Sequence, residues 1–150
     1  IINQIARIAK EHSASLICVD VGWGVWLTMG LQEKRLPVVG INFQSAPTRD
    51  RVKAKNYAAT NAVNVRAEMH LDFQDLCENG VLEVTPQVMD GIGGVLPYIT
   101  SERKANGKIQ IRPKPEIKAI IGHSPDEFDA VLLAIHAMIL FCGSSSEPIV

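Results

Sequence analysis

Three aspartates stand where they could do chemistry. Asp20 closes a short apolar run, Leu16-Ile17-Cys18-Val19. Such a run reads as a buried strand, and ligands of open α/β sheets bind beyond the carboxyl ends of strands. A turn aspartate bonding to its own loop accounts for Asp20 equally well. Asp126 and Asp129 are spaced i,i+3. On a helix that spacing puts them on one face, roughly 5–6 Å apart at Cβ. The helix dipole explains Asp126 and Glu127 in a first turn. It explains Asp129 less well, because Asp129 abuts the apolar stretch from Ala130 to Phe141. A charge there costs stability unless paired, and no cation lies three or four residues away on either side. Carboxylate oxygens suit magnesium or manganese, so a divalent ion is a natural partner. His123 precedes the pair and could reach the same place.

These groups need elements to hold them. Residues 1–12 carry Ile1, Ile2, Ile5, Ile8 and Ala9 at helical spacing. The strand ending at Asp20 follows. Gly22 and Gly24 loosen the chain, and Val25 to Lys34 reads as a helix broken by Pro37. Val38-Val39-Gly40-Ile41 is a second buried strand. This β-loop-α-β order predicts parallel pairing through a crossover helix. Residues 44–63 form a polar segment with Arg49, Arg51, Lys53 and Lys55. Val65 to Glu78 reads as a helix with Met69, Phe73, Leu76 and Cys77 on one face, stopped by Asn79-Gly80. Leu82-Glu83-Val84 reads as a short strand. Asn106-Gly107 signals a hairpin leading into Lys108 to Arg112, where Ile109 and Ile111 share one face and Lys108, Gln110 and Arg112 the other. The last helix opens with Ser124 as cap, Pro125 in the first position and Glu127 completing a capping box. Its body is apolar nearly all round and should be buried. Gly143 ends it, and residues 143–150 read as a flexible tail.

Length and composition narrow the classes. The chain has 150 residues, 47% of them hydrophobic, with formal net charge −1, which suits one α/β domain. The charge is uneven. Glu102 to Lys118 holds six bases (Arg103, Lys104, Lys108, Arg112, Lys114, Lys118) against two acids, whereas Glu68 to Asp90 holds six acids and no Lys or Arg. A local phosphate-binding face is thus open to a nearly neutral protein. Cys18, Cys77 and Cys142 form no CxxC pair, so a zinc site and a disulfide framework lack support. The longest apolar run is too short for a membrane span. Gly22-Trp23-Gly24 is no phosphate loop: the Gly-Lys-Ser/Thr ending and the third glycine are both missing. His136 reads as a core histidine, and His12 and His70 as surface residues. Trp23 and Trp26 read as core, with a base-stacking platform as the rival.

One set of motifs is more specific than any single residue. Asp20-Val-Gly-x-Gly-Val25, Val39-Gly-Ile-Asn-Phe43, Asn64-Val-Arg-Ala-Glu-Met69, Lys108-Ile-Gln-Ile-Arg112 and Ser124-Pro-Asp-Glu-Phe-Asp-Ala130 occur in this order. Together they resemble the nuclease domain of phage large terminase subunits, over most of residues 1–142. The closing Ser-Pro-Asp-x-x-Asp-Ala is the most specific part, and also looks like the end of Holliday-junction resolvases of the same fold.

The resemblance implies an α/β, ribonuclease-H-like mixed sheet flanked by helices. It implies a metal-dependent endonuclease that cuts concatemeric double-stranded DNA during packaging. Asp20, Asp126 and Asp129 would hold one or two Mg2+ or Mn2+ ions, and Arg66 and Glu68 would pair behind the site or be solvated. Lys108, Arg112, Lys114 and Lys118 would contact DNA, with Arg49, Arg51 and Lys53 as further candidates beside them. Partners would be the terminase ATPase domain, the small terminase subunit and the portal, in the bacterial cytoplasm. The family's first strand bears a further metal-binding aspartate ahead of the helix that opens this chain. On that comparison the first strands are missing, the chain is one partial nuclease domain, and it cuts weakly or not at all. A resolvase- or transposase-like nuclease of the same fold, or a non-catalytic docking module of the packaging machinery, are the rival readings.

Overall fold

The computed structural model describes residues 1–48 and 61–144. Arg49, Arg51, Lys53, Lys55 and most of the tail expected after Gly143 lie outside them. The chain divides into two compact units, Ile1–Phe43 with Leu133–Val150, and Gln44–Leu132.

The first unit is built on α1 (Ile2–Glu11), β1 (Ile17–Asp20), α2 (Val21–Glu33) and β2 (Val38–Ile41). The strands pair in parallel, Ile17 opposite Val38 through Asp20 opposite Ile41, as the β-α-β order requires. Both strands are half-buried along most of their length rather than enclosed; Ile41 alone among them is buried. The crossover helix starts earlier than its sequence suggests. It begins directly after Asp20 and contains both Gly22 and Gly24. The physical reason is close approach. A Cβ on Gly24 would come within 2.8 Å of Val19 Cγ1, so Gly24 lets helix lie on strand instead of loosening the chain. Leu31 is fully buried. Trp26 departs from the core reading, with 55% exposure, beside Val25 and Met29 on the same open helix face. His12 is exposed, as expected.

The second unit holds α3 (Val65–Glu78), α4 (Pro86–Ile92), a 3-10 turn (Leu96–Tyr98), β3 (Ser101–Arg103), β4 (Ile109–Ile111) and α5 (Lys114–Ile121). The hairpin signal is realised. β3 and β4 run antiparallel, and Gly107 turns the chain at φ +78. The expected mixture of parallel and antiparallel pairing is present, spread over two two-stranded sheets. Ala62 adds a parallel bridge to Ile109, and Ala62, Ala67 and Ile111 form a small buried cluster. Leu82 to Val84 is not a strand. The Leu76 carbonyl accepts from both Val81 N and Leu82 N (2.9 and 3.0 Å), so Val81 and Leu82 close the end of α3 instead. The last helix, α6 (Asp126–Ser144), opens in this unit and ends in the first. It is not enclosed all round: Met138 and Phe141 are exposed while Ile135, His136, Ala137 and Ile139 are buried.

α3 departs furthest from its sequence. Asn64 caps it, accepting from Ala67 N at 3.0 Å. Met69 and Leu76 are buried as their spacing requires, but so are Arg66, Glu68, His70 and Asp72. The surface reading of His70 and the solvated reading of Arg66 and Glu68 are therefore corrected. Glu68, wholly buried, accepts from Thr48 N and Thr48 Oγ1, both at 2.9 Å. His70 sits edge-on to Phe128, ring centroids 5.2 Å apart.

Burial, reinforced by the nearby Arg66 charge, pushes the His70 pKa from 6.5 down to about 3. Above pH 6.5 the ring is neutral in both folded and unfolded chains. Between there and about 3 the unfolded chain takes up a proton that the fold refuses, so stability falls as pH falls. Thermal melts from pH 7 to pH 4 should show a steeper loss of Tm in the native protein than in His70→Gln. Parallel curves would mean that His70 is not held neutral by the fold.

Candidate functional site

The first turn of α6 and the start of α5 meet in the second unit. α5 ends at Gly122, whose φ of +83 is a left-handed stop. The chain then passes through Ser124 and Pro125 into α6, where Asp129 N donates to Pro125 O at 3.0 Å. This fold-back sets Lys114 over the two helix aspartates. Its Nζ lies 3.1 Å from Asp126 Oδ1 and 2.5 Å from Asp129 Oδ2. Ser124 Oγ donates to Asp126 Oδ1 at 2.6 Å, so its hydroxyl serves the carboxylate.

The two aspartates differ in setting. The Asp126 side chain is 72% exposed and that of Asp129 only 9%. The hydrogen bond from Ser124, then that from Lys114, hold the Asp126 carboxyl below its ordinary pKa. Burial raises that of Asp129, outweighing the opposing pull of Lys114 and Arg66. Burial also works against the Lys114 charge, but its bonds to Asp129 and Asp126 prevail and raise its pKa. Behind the site, the buried Arg66 donates from Nη1 to Arg112 O at 2.9 Å. Its Nε and Nη2 are buried with no hydrogen-bond partner among the described residues. Burial lowers the Arg66 pKa against the favourable field of Asp129.

The remaining candidates are distributed as follows. Asp20 belongs to the first unit, where it caps α2, Oδ1 accepting from Gly22 N at 2.9 Å. The turn-aspartate reading describes that oxygen. His123 is exposed beside the Ser124 carbonyl. Lys108 is exposed on the hairpin, and Lys118 lies exposed one turn after Lys114 on α5. Arg112 is half-buried, its Nη1 donating to Tyr98 O at 3.2 Å. The four bases thus come from a hairpin and a helix, and Lys114 is engaged by carboxylates.

Sequence reasoning missed the partner of Asp129 because it sought a cation within one helical turn, whereas Lys114 comes from the preceding helix. The signals available were a helix start at Lys114-Pro115-Glu116 and a stop at Gly122. Among the described residues no group of three or more His, Cys, Asp or Glu stands where it could hold a metal ion. Asp126 and Asp129 nevertheless both contact one cation, the Lys114 ammonium. Magnesium is commonly held by one or two carboxylates, with water and phosphate oxygens completing its shell. The donor pair fits that role.

No protein-family model and no curated protein matches this sequence. The fold does find counterparts among solved structures, in the nuclease domain of a phage large terminase subunit. The structure is similar to that domain in gp2 of bacterial virus Sf6, at 17% identity and TM-score 0.65, covering 90% of this chain and 70% of that one. It is equally similar to the K428A mutant of that domain with manganese (18% identity, TM-score 0.65, 90% and 71% covered). The same mutant with calcium is also similar (18%, 0.64, 90% and 70%). At such identity the likeness speaks for the fold.

The carboxyl settings are directly measurable. In a 13C NMR titration Asp126 should titrate below its ordinary value of 3.8 and Asp129 above it. Asp126 then contributes stability that is present above its unfolded pKa and lost as pH falls through its folded one. Asp129 contributes with the opposite sign, its burial cost being relieved on protonation. Lys114→Met should raise both pKa values. Two superimposable titration curves would contradict the asymmetry of the site.

Proposed function

We propose that this chain is the metal-dependent endonuclease module of a phage DNA-packaging terminase, cutting concatemeric double-stranded DNA. The observation that carries the reading is the buried Asp129 at the head of α6, set in a terminase-nuclease fold. A carboxylate held in so dry a place needs a positive charge; Lys114 supplies one at contact, and the second carboxylate on the same turn makes the pair suited to a divalent ion.

In this reading Asp129 and Asp126 hold Mg2+ or Mn2+. A bound ion would activate water and stabilise the leaving oxygen of the phosphodiester. Asp129 supplies a fixed oxygen, because its backbone and carboxylate are both anchored. Asp126 is oriented by Ser124 and remains open to solvent. Lys108, Arg112 and Lys118, with Lys114, hold the phosphate backbone and place it over the carboxylates, without reading sequence. The terminase ATPase domain, the small terminase subunit and the portal are the proposed partners, and the bacterial cytoplasm the proposed place of action. No helix among the described residues is long and apolar enough to cross a membrane.

Two measurements test this. A plasmid-cleavage assay should show weak cutting that depends on Mg2+ or Mn2+ and that Asp129→Asn lowers by roughly 100-fold or more, to below detection, and Asp126→Asn by less. Cleavage that survives in Asp129→Asn, or in excess chelator, would overturn the assignment. Preferential cutting of four-way junctions over linear duplex would instead favour a resolvase. Duplex affinity should fall steeply with salt. The Lys108→Glu and Lys118→Glu variants should each weaken it across all sequences and flatten that slope. Unchanged affinity in both would remove these lysines from the DNA path.

A further inference from the structure

We propose that the second unit holds a small-molecule site: the cavity between α3, the 3-10 turn and the β3–β4 hairpin takes a neutral hydroxyaromatic of bicyclic size, whose hydroxyl bonds the His70 ring. The inference does not depend on the nuclease reading. Asp126, Asp129 and Lys114 do not line this cavity.

Space is the first observation. The cavity measures about 280 Å3 and lies wholly within the second unit. A cavity of about 150 Å3 lined by Leu, Ile and Phe takes benzene, so this one has room for two fused rings. Its floor is buried, at Ile111 and Phe128, and its mouth is exposed and polar, at Gln74, Glu78 and Thr100. An apolar body with a few polar groups is the usual form of a small-ligand site.

His70 is the second. It is 5% exposed, and neither ring nitrogen has a hydrogen-bond partner among the described residues. Buried polar groups are bonded as a rule. Burial keeps this ring neutral, so it offers one N–H donor and one bare acceptor nitrogen. A hydroxyl can serve either. The nitrogens are covered, so the ligand meets one as the ring turns about χ2, a soft torsion.

The surroundings of His70 select the ligand's class. Phe128 meets both His70 and Phe73 edge-on, with centroids 5.2 Å apart in each pair. Edge-to-face contact is a preferred packing of aromatic rings, and a ligand ring extends the same cluster. Glu78 at the mouth, which accepts from Gln74 Nε2 at 2.7 Å, repels an anion. The Arg66 charge, which already bears on His70, opposes a cation at the floor. A neutral ring with a hydroxyl satisfies all of these constraints.

The probes are 5-indanol and indane, the same bicycle without the hydroxyl, each added to the full chain in excess chelator. 5-Indanol should bind with a Kd of roughly 0.1–1 mM, as its size allows, and shift the methyl NMR signals of Ile99 and Ile111. The ratio of the two affinities should fall by roughly 2–12-fold in His70→Phe, the worth of one hydrogen bond. A second readout uses the native protein alone. Cys77 lines the cavity, so 5-indanol should slow its alkylation by iodoacetamide in proportion to occupancy and leave Cys18 unaffected. That readout decides the matter if His70→Phe does not fold. Unprotected Cys77, or shifts centred outside the cavity, would overturn the proposal. So would an unchanged affinity ratio in a folded His70→Phe, which would mean that His70 does not bond the ligand.

Discussion

A carboxylate as dry as that of Asp129 has to be answered by a positive charge inside the protein. Lys114 gives that answer at contact, and Arg66 reinforces it from the buried side. Much of the second unit is arranged around this need. Gly122 turns the chain so that α5 returns its first residue to the first turn of α6. Arg66 is held at the N-terminal end of α3 by a bond to the Arg112 carbonyl, tying that helix to the end of β4. Removing one member of a buried pair costs about 3–5 kcal/mol; with Lys114 a third exposed, the lower end applies. The site is therefore a structural joint as well as a place for chemistry.

The same joint shows how charge and packing were reconciled in α3. Four polar residues of one helix, Arg66, Glu68, His70 and Asp72, are buried beside Met69 and Leu76. Each demands something of its surroundings. Glu68 receives two hydrogen bonds from Thr48. His70 gives up its charge and packs against Phe128. Arg66 retains its charge and faces the field of Asp129. Phe128 is adjacent to Asp129, so the aromatic contact and the ion pair are fixed by the same turn of α6.

How much of this was legible depended on how local the signal was. The parallel β-α-β unit, the Asn106-Gly107 hairpin, the α3 stop at Asn79-Gly80 and the start of α6 were all readable, because each is written in adjacent residues. The burial of His70 was not. Nothing in its own neighbourhood distinguishes a histidine covered by Phe128 from one facing water. Gly24 misled for a related reason: glycine marks both a loose chain and a tight approach, and only Val19 decides between them. At the site Asp126 and Asp129 were visible from type and spacing. The lysine that answers them was visible only as one base among several, since its role depends on a fold-back between helices.

β3 has a property that bears on the protein in solution. It pairs with β4 on one side, and all three of its residues, Ser101, Glu102 and Arg103, are exposed. A free strand edge is a template for pairing with the edge of another molecule, and charge is the usual protection. Here Glu102 and Arg103 stand on the strand, and Lys104 follows, bound to Glu102 at 3.0 Å. An incoming strand would have to strip water from three charges in succession before making its first ladder bond. The hairpin thereby guards the chain against edge-to-edge self-association.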